Sequence, residues 1–158
     1  LATAGFRVKE LIGGAARAVT ARVPGPEITP ARMRTCDWWD GPRLFILVDD
    51  YDMVSSGSMS DHFGPLLDYF AQGAELGLHM IVARSANGAA RALNDPLLRR
   101  LTEVNTPAAL LSCPPSEGYL FNDTKPKQLP AGRAQLITRR GVIQVQTPLL
   151  PDTTAEEE

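Results

Sequence analysis

Two adjacent carboxylates, Asp49 and Asp50, directly follow a run of five apolar residues, Leu44–Val48. The run is rich in strand formers and short for a helix, so it predicts a strand buried on both faces, as in a parallel sheet. Its acids would then lie at the carboxyl edge of the sheet, where α/β proteins bind ligands. At such an edge Asp49 can hold Mg²⁺ and Asp50 can orient an attacking water. The alternative is that both acids only cap the strand or the turn after it.

An apolar strand that ends in acids is also the second signature, Walker B, of P-loop nucleotide hydrolases. The first signature, Gly-x-x-x-x-Gly-Lys-Ser/Thr, supplies the backbone amides that cradle phosphates. No Gly-Lys pair occurs in the 158 residues, and the sequence opens at Leu1 as if inside a domain. We therefore expect residues 1–150 to be the part of a nucleotide-binding domain from Walker B onward, with the phosphate loop upstream of residue 1.

Composition limits the classes of protein and of partner. Hydrophobic residues make up 44% of the chain, which is enough for a core, and 16 basic against 18 acidic residues leave a net charge of −2. This balance argues against a general nucleic-acid surface. Cys36 and Cys113 are too few for a metal cluster and are expected to be free thiols, although their spacing does not exclude a disulfide. No apolar run approaches the roughly 18 residues that suggest a membrane span.

Periodicity, caps and turn residues predict strands that alternate with helices. Helices are expected over residues 8–23, from Thr29-Pro30 to Thr35, from Ser60 or Asp61 to Leu76, and in pieces within 88–101, with a loop at 55–58. Strands are expected over residues 44–48, 78–83 and 108–111, followed by a β-hairpin of 134–138 and 142–147. This order implies a three-layer α/β fold with a mainly parallel sheet that ends in a hairpin. An acidic disordered tail is expected over residues 151–158.

The segment after the acidic strand carries a family pattern. The run Gly77-Leu-His-Met-Ile-Val-Ala-Arg-Ser85 resembles the Gly-x-His strand ending in a polar sensor of the FtsK/SpoIIIE/HerA group of RecA-like motor ATPases. Further segments look like the EccC family, the ATPases of type VII secretion: Asp37–Pro42, Val48–Asp52, Ala89–Leu93 and Glu117–Phe121. The resemblance covers most of residues 5–150, and the acidic tail indicates the C-terminal ATPase domain of that family.

The resemblance implies a RecA-like P-loop fold, ATP and Mg²⁺ as cofactors, and a cytoplasmic place on the inner face of the cell membrane within a secretion complex. It implies WXG100-type (EsxB-like) secretion substrates, neighbouring ATPase domains and other subunits as partners. The leading hypothesis is an ATP-binding, weakly hydrolysing motor and docking domain. One alternative is a non-enzymatic docking module for a signal peptide, in which nucleotide is structural. The other is a DNA translocase, which the balanced charge disfavours.

The resemblance also implies roles for single residues. Asp50 stands where active relatives carry Glu, and its side chain is one methylene shorter, so hydrolysis is expected to be slow or absent. Ser85 matches the strand-end sensor of the γ-phosphate, with a turn cap as the alternative. Arg84 can reach phosphate or a neighbouring domain, and Arg133, in a Gly-Arg segment, either contacts nucleotide or packs locally. Ala108 stands where an arginine finger is expected, which argues against a finger from this segment.

Three ring side chains have packing as their favoured role. His79 lies inside an apolar strand, where a core histidine is favoured over a catalytic one. Trp38 and Trp39 are adjacent, so an extended segment would turn one indole toward the core. The other indole would pack locally, cover adenine or meet a neighbouring domain.

Overall fold

The computed structural model describes residues 2–55 and 62–148, with side chains from residue 7 onward. The α-helices are α1 (Ala2–Thr20), α2 (Pro30–Thr35), α3 (Tyr51–Ser55), α4 (Ala89–Ala92) and α5 (Pro96–Glu103). The strands are β1 (Leu44–Val48), β2 (Leu78–Val82), β3 (Ala108–Leu110), β4 (Arg133–Thr138) and β5 (Gly141–Gln146). Short 3₁₀ helices span Gly64–Gln72, Pro115–Glu117 and Phe121–Asp123. The predicted helix start at Ser60 or Asp61 and the predicted tail at 151–158 lie outside the described residues.

The chain divides into two compact units. The first comprises Leu1–Ser85 and Asp95–Val104, and the second comprises Ala86–Asn94 and Asn105–Glu158. The acidic strand β1 and the strand β2 therefore belong to the first unit, whereas the terminal hairpin belongs to the second. None of the helices in the described part of the chain has the length and apolar character needed to cross a bilayer.

Strands β1 and β2 form a parallel pair in the first unit. The register runs from Leu44 opposite Leu78 to Val48 opposite Val82, so the two strands end level with each other. Both predicted strands and their parallel pairing are confirmed, but the prediction that β1 is buried on both faces is wrong, because Phe45 and Leu47 are exposed. Because both strands end at the same level, the residues that follow each strand lie at the same edge of the pair.

Helices α1 and α5 pack against the 3₁₀ helix Gly64–Gln72 and form the core of the first unit. In α1 the buried residues Ile12, Ala16 and Val19 recur at helical spacing, which confirms the amphipathic helix expected from the sequence. The other buried apolar side chains of this unit include Phe63, Leu66, Leu76, Leu97 and Leu98.

Arg22, which follows α1, contacts the segments that precede both strands of the parallel pair. Its guanidinium lies 4.2 Å from the ring centroid of Trp39, a cation–π contact. Nη1 donates a hydrogen bond to the carbonyl of Leu76 at 2.9 Å, and Nη2 donates to that of Pro42 at 2.8 Å. One side chain therefore joins the segments that lead into β1 and into β2.

Both tryptophans pack within the first unit, as the sequence favoured. The indole N–H of Trp38 donates to the Arg22 carbonyl at 2.7 Å, and that of Trp39 donates to the Glu75 carbonyl at 2.8 Å. The Trp39 ring also lies against Gly77, whose φ is +66°. A Cβ at this glycine would lie 2.5 Å from Cη2 of the indole, so the position requires a residue without one.

The helix expected to run to Leu76 is instead the 3₁₀ helix Gly64–Gln72. It ends early because the carbonyl of Gly73 accepts a hydrogen bond from the N–H of Leu78 at 2.7 Å, which turns the chain into β2. A second difference is α3, which begins directly after Asp50, where no helix was predicted. At α3 the pairing of Tyr51 with the distant residue Ala83 outweighs local propensity, whereas the end of the 3₁₀ helix depends on a contact between residues five apart.

Strands β3, β4 and β5 form an antiparallel sheet in the second unit, in that order. The terminal hairpin of β4 and β5 is confirmed. The expectation of a mainly parallel sheet is wrong for residues 2–55 and 62–148, where only β1 and β2 run parallel. The three-residue strand Ala108–Leu110 satisfies its backbone groups against the hairpin, and an antiparallel partner was not visible in its sequence.

Cys36 and Cys113 are free thiols, as expected. Cys113 is buried in the second unit, and its N–H donates to the Lys127 carbonyl at 3.0 Å. Burial raises the pKa of the Cys113 thiol above its ordinary value, and the carboxylate of Glu117 adds to this rise. The thiol therefore stays protonated at neutral pH and serves as a small apolar side chain.

Replacing Gly77 by Ala tests its contact with Trp39. We expect Gly77→Ala to lower the free energy of unfolding by about 2–4 kcal/mol, because a left-handed residue gains a Cβ that overlaps the indole. Gly88→Ala is the matched control, since its φ is +68° and its added Cβ meets no atom within 4 Å. It should cost about 1–2 kcal/mol. Urea unfolding followed by circular dichroism measures both changes.

The same substitution in a Trp39→Ala background separates the steric overlap from backbone strain. There the cost of Gly77→Ala should fall to that of the Gly88→Ala control, because the overlapping ring is gone. A full cost that persists without the indole would contradict the overlap.

Candidate functional site

The carboxyl ends of β1 and β2 place four of the predicted site residues at one edge of the parallel pair. Asp49 and Asp50 follow β1, whereas Arg84 and Ser85 follow β2 after a single alanine. The level register brings these two pairs of residues to the same edge, where α/β proteins bind ligands. The fifth predicted site residue, Arg133, belongs to the second unit.

Asp50 turns the chain from β1 into α3 with a positive φ of 47°, which a residue other than glycine rarely adopts. Its N–H donates to Oδ1 of Asp49 at 3.0 Å, and its carbonyl accepts from the N–H of Met53 at 2.8 Å. Aspartate is among the residues that enter this region, at a cost of about 1–2 kcal/mol. Both carboxylates are exposed. A strained turn that presents exposed acids is typical of functional sites.

Tyr51 anchors this turn to the core. Its side chain is buried, its N–H donates to the Ala83 carbonyl at 3.0 Å, and its hydroxyl donates to Oδ1 of Asp95 at 2.7 Å. The same oxygen caps α5 by accepting from the N–H groups of Leu97 at 2.9 Å and Leu98 at 3.3 Å. One carboxylate thus joins the start of α5 to the residue that follows the strained turn.

Asp52 contacts two of the predicted site residues, although it was not itself predicted as a site residue. Its Oδ1 lies 2.8 Å from Nη2 of Arg84, and its Oδ2 accepts from the N–H of Ser85 at 3.1 Å. The Arg84 side chain is only 16% exposed, so its guanidinium is engaged within the chain. The sequence feature that could have indicated Asp52 is its position as the third acid in the run Asp-Asp-Tyr-Asp. That Arg84 and Ser85 contact nucleotide stays a prediction.

The remaining candidates have local partners. Arg133 begins β4 and is exposed, and its Nε donates to Oε1 of Gln146 at 3.2 Å. This hydrogen bond is consistent with the alternative that Arg133 packs locally. A contact between Arg133 and nucleotide stays a prediction. His79 is half-buried in β2, and its ring stacks on that of Phe45 with 4.7 Å between centroids, as expected for a packing role. Ala108 lies in β3 and has no side chain that could act as a finger.

The acidic edge fits a Mg²⁺ whose coordination is completed by phosphates and water. One oxygen of Asp49 accepts the Asp50 amide, and the other makes no hydrogen bond to a described residue. Within the described ranges, no group of three His, Cys, Asp or Glu side chains is placed to hold a metal ion. Mg²⁺ commonly takes only one or two carboxylates beside substrate oxygens, so this donor set suits it. The phosphate-loop pattern itself does not occur in the 158 residues, since no Gly-Lys pair is present.

An apolar groove of about 420 Å³ lies in the first unit. It is lined by one face of α1, by β1 as far as Asp49, and by Val54 and Phe63. Three apolar side chains on one face of the parallel pair are also largely exposed: Phe45 (61%), Leu47 (71%) and Ile81 (61%). Parallel strands are ordinarily covered on both faces, so among the described residues this face lacks its cover.

Comparison with curated proteins finds close relatives, although no family model matches. The chain is 40% identical over 131 residues to the ESX secretion system protein EccC of Thermomonospora curvata. It is 43% identical over 121 residues to the ESX-4 secretion system protein EccC4 of Mycobacterium tuberculosis. These matches cover 82% and 77% of this chain. The chain spans only 10% of the length of either relative.

Solved structures show the same similarity. The chain matches Thermomonospora curvata EccC (ATPases 2 and 3) in complex with a signal sequence peptide, with a TM-score of 0.85 and 36% identity over 93% of this chain and 26% of that one. It matches the cytoplasmic domain of the type VII secretion ATPase EccC from the same organism with a TM-score of 0.84 and 37% identity, over 91% and 17% of the two chains. The RecA-like P-loop α/β fold expected from the sequence is thereby confirmed.

Removing the hydroxyl of Tyr51 tests how firmly the strained turn is anchored. Tyr51→Phe should lower the free energy of unfolding by about 1–2 kcal/mol, because the partly buried hydrogen bond to Asp95 is lost while the ring stays packed. Tyr69→Phe is the matched control, since its hydroxyl lies 2.8 Å from Oγ1 of Thr20 at an exposed position. It should cost less than about 0.5 kcal/mol. Urea unfolding followed by tryptophan fluorescence compares them, and equal costs would contradict the anchoring role.

Proposed function

Because this chain belongs to the EccC family of ESX secretion ATPases, we propose that it forms the Walker B half of an ATP-binding domain in a type VII secretion motor. The relatives are about ten times longer than the matched segment, so the activity and partners of the whole protein are part of the proposal. Family membership supports ATP and Mg²⁺ as cofactors. It also supports a place on the inner face of the cell membrane, within a secretion complex.

The level register of β1 and β2 is the observation that carries this proposal, because it gathers the predicted site residues at one edge. In the proposed site Asp49 holds Mg²⁺, which when bound offsets negative charge on the phosphates. Asp50 accepts a hydrogen bond from the attacking water, and Ser85 contacts the terminal phosphate. Since Asp50 has a short side chain on a backbone fixed at positive φ, it reaches less far than Glu would. This geometry favours slow hydrolysis.

The uncovered face of the parallel pair supports a partial domain. A sheet of two strands is marginal by itself, and parallel strands are ordinarily buried on both faces. Further strands and helices of the same domain, including the phosphate loop, would cover Phe45, Leu47 and Ile81 and fill the groove beside β1. We therefore propose that residues 1–150 are one part of an FtsK-like ATPase domain.

Asp49→Asn in the full-length protein that carries this segment tests the metal role. Affinity for ATP in the presence of Mg²⁺ should fall by roughly tenfold or more, because the amide replaces the ionised ligand. Affinity for ATP in the presence of EDTA should be unchanged. Asp40→Asn is the matched control, because that exposed carboxylate precedes the amino end of β1. Calorimetric titration measures all four cases, and a wild-type response to Mg²⁺ in Asp49→Asn would reject the assignment.

A second proposed function is the docking of secreted partners through a signal sequence. The supporting observation is the solved complex of EccC ATPases 2 and 3 with a signal sequence peptide, whose fold this chain shares over 93% of its length. We propose that WXG100-type (EsxB-like) proteins present such a signal to the domain that contains this chain. In this alternative, nucleotide has a structural role and neighbouring ATPase domains complete the assembly.

Titration of a labelled signal peptide into the full-length protein tests docking. Fluorescence anisotropy should show saturable binding, and a scrambled peptide of the same composition should show none. A structural nucleotide predicts equal peptide affinity with ATP and with a non-hydrolysable ATP analogue, and weaker affinity without nucleotide. Absence of saturable binding in all three conditions would contradict the docking function.

A further inference from the structure

The acidic segment after β1 contains a third carboxylate whose surroundings differ from those of the first two. Asp49 and Asp50 are exposed at the carboxyl edge, whereas both oxygens of Asp52 are engaged by residues at the end of β2. The contacts of Asp52 join the two strand ends. Asp52 therefore links the segment after β1 to the segment after β2 through its side chain, which neither Asp49 nor Asp50 does in the contacts among the described residues.

Backbone pairing between the two strands continues beyond their ends. The N–H of Ala83 donates to the Val48 carbonyl at 2.8 Å, and the Ala83 carbonyl accepts from the N–H of Tyr51 at 3.0 Å. The N–H of Ser85, two residues further, faces the same way in an extended chain. By this point the partner chain has turned into α3, and Oδ2 of Asp52 accepts this N–H in place of a backbone carbonyl. The carboxylate thus adds one rung to the pairing.

The second oxygen of Asp52 pairs with Arg84 at 2.8 Å, with side chains that are 44% and 16% exposed respectively. This ion pair balances the charge of Asp52 inside the chain. Within the described residues, Asp52 does not form a three-carboxylate metal group with the other two acids. Asp49 and Asp50 remain the carboxylates that face a ligand at this edge.

We propose that Asp52 is a positioning residue that fixes Ser85 at the acidic edge and thereby sets how well the site distinguishes a nucleoside triphosphate from a diphosphate. This inference rests on the proposed function, in which Ser85 contacts the terminal phosphate that a diphosphate lacks. A hydrogen bond from a backbone N–H to a carboxylate is charge-assisted and strong. It therefore holds the backbone of Ser85 against the turn that carries Asp49 and Asp50.

Two measurements on the full-length protein test this role. Hydrogen exchange reports the protection of the Ser85 amide, and calorimetric titration gives the ratio of the affinities for ATP and ADP, both with Mg²⁺. Asp52→Ala should lose the protection of this amide and should lower the ratio by roughly tenfold, with the ADP affinity unchanged. Asp52→Asn keeps an acceptor for the amide and should retain most of both. Asp68→Ala, which removes an exposed carboxylate from the 3₁₀ helix, should behave as wild type.

The outcomes separate this inference from the proposed function. A wild-type protein that binds neither nucleotide would refute the proposed function itself. A wild-type protein that binds ATP, combined with an unprotected Ser85 amide and an unchanged affinity ratio in Asp52→Ala, would refute only the positioning role. Retained protection in Asp52→Ala would refute it as well. If Asp52→Ala does not fold, Asp52→Asn decides the question. If the Ser85 amide loses protection in Asp52→Asn, the ratio of the ATP and ADP affinities must fall. If the amide keeps its protection, the ratio must stay at the wild-type value.

Discussion

The parallel register of β1 and β2 is the constraint on which the rest of the first unit depends. At the amino end, the N–H of Leu44 donates to the Gly77 carbonyl at 2.7 Å, and Arg22 braces the segments that enter both strands. At the carboxyl end, Ala83 bonds to both Val48 and Tyr51. A slip of one residue would move every side chain to the opposite face and would separate the two strand ends. The candidate site exists because this register is fixed at both ends.

At the carboxyl edge of the parallel pair, the strained backbone of Asp50 is stabilised by contacts of the residues that follow it. Asp50 holds a backbone conformation that is unfavourable for its residue type. The contacts of Tyr51 and Asp52, the first two residues of α3, support it. Such a turn persists only where its surroundings determine it fully. Asp49 and Asp50 are both exposed at this turn, and exposed carboxylates at the carboxyl edge of a parallel pair suit ligand binding.

The open face of the parallel pair would connect the proposed nucleotide site to the proposed assembly. The apolar face of β1 and β2 is exposed, and the chain spans only a tenth of its curated relatives, so the proposed site and the proposed cover both draw on other parts of the longer protein. A ligand that binds only the completed arrangement stabilises it by mass action. Under the proposed function, nucleotide therefore holds domains together for substrate docking in addition to being hydrolysed.

The sequence by itself determined the features that depend on neighbouring residues. The apolar run before Asp49, the Thr29 cap of α2 and the turn of the terminal hairpin are local patterns, and the structure shows each of them. Tertiary structure alone decided the pairing of Tyr51 with Ala83, the antiparallel pairing of β3 and the contacts of Asp52 with the residues after β2. These features depend on which distant carbonyls, carboxylates and strand edges meet, and no local spacing encodes those meetings.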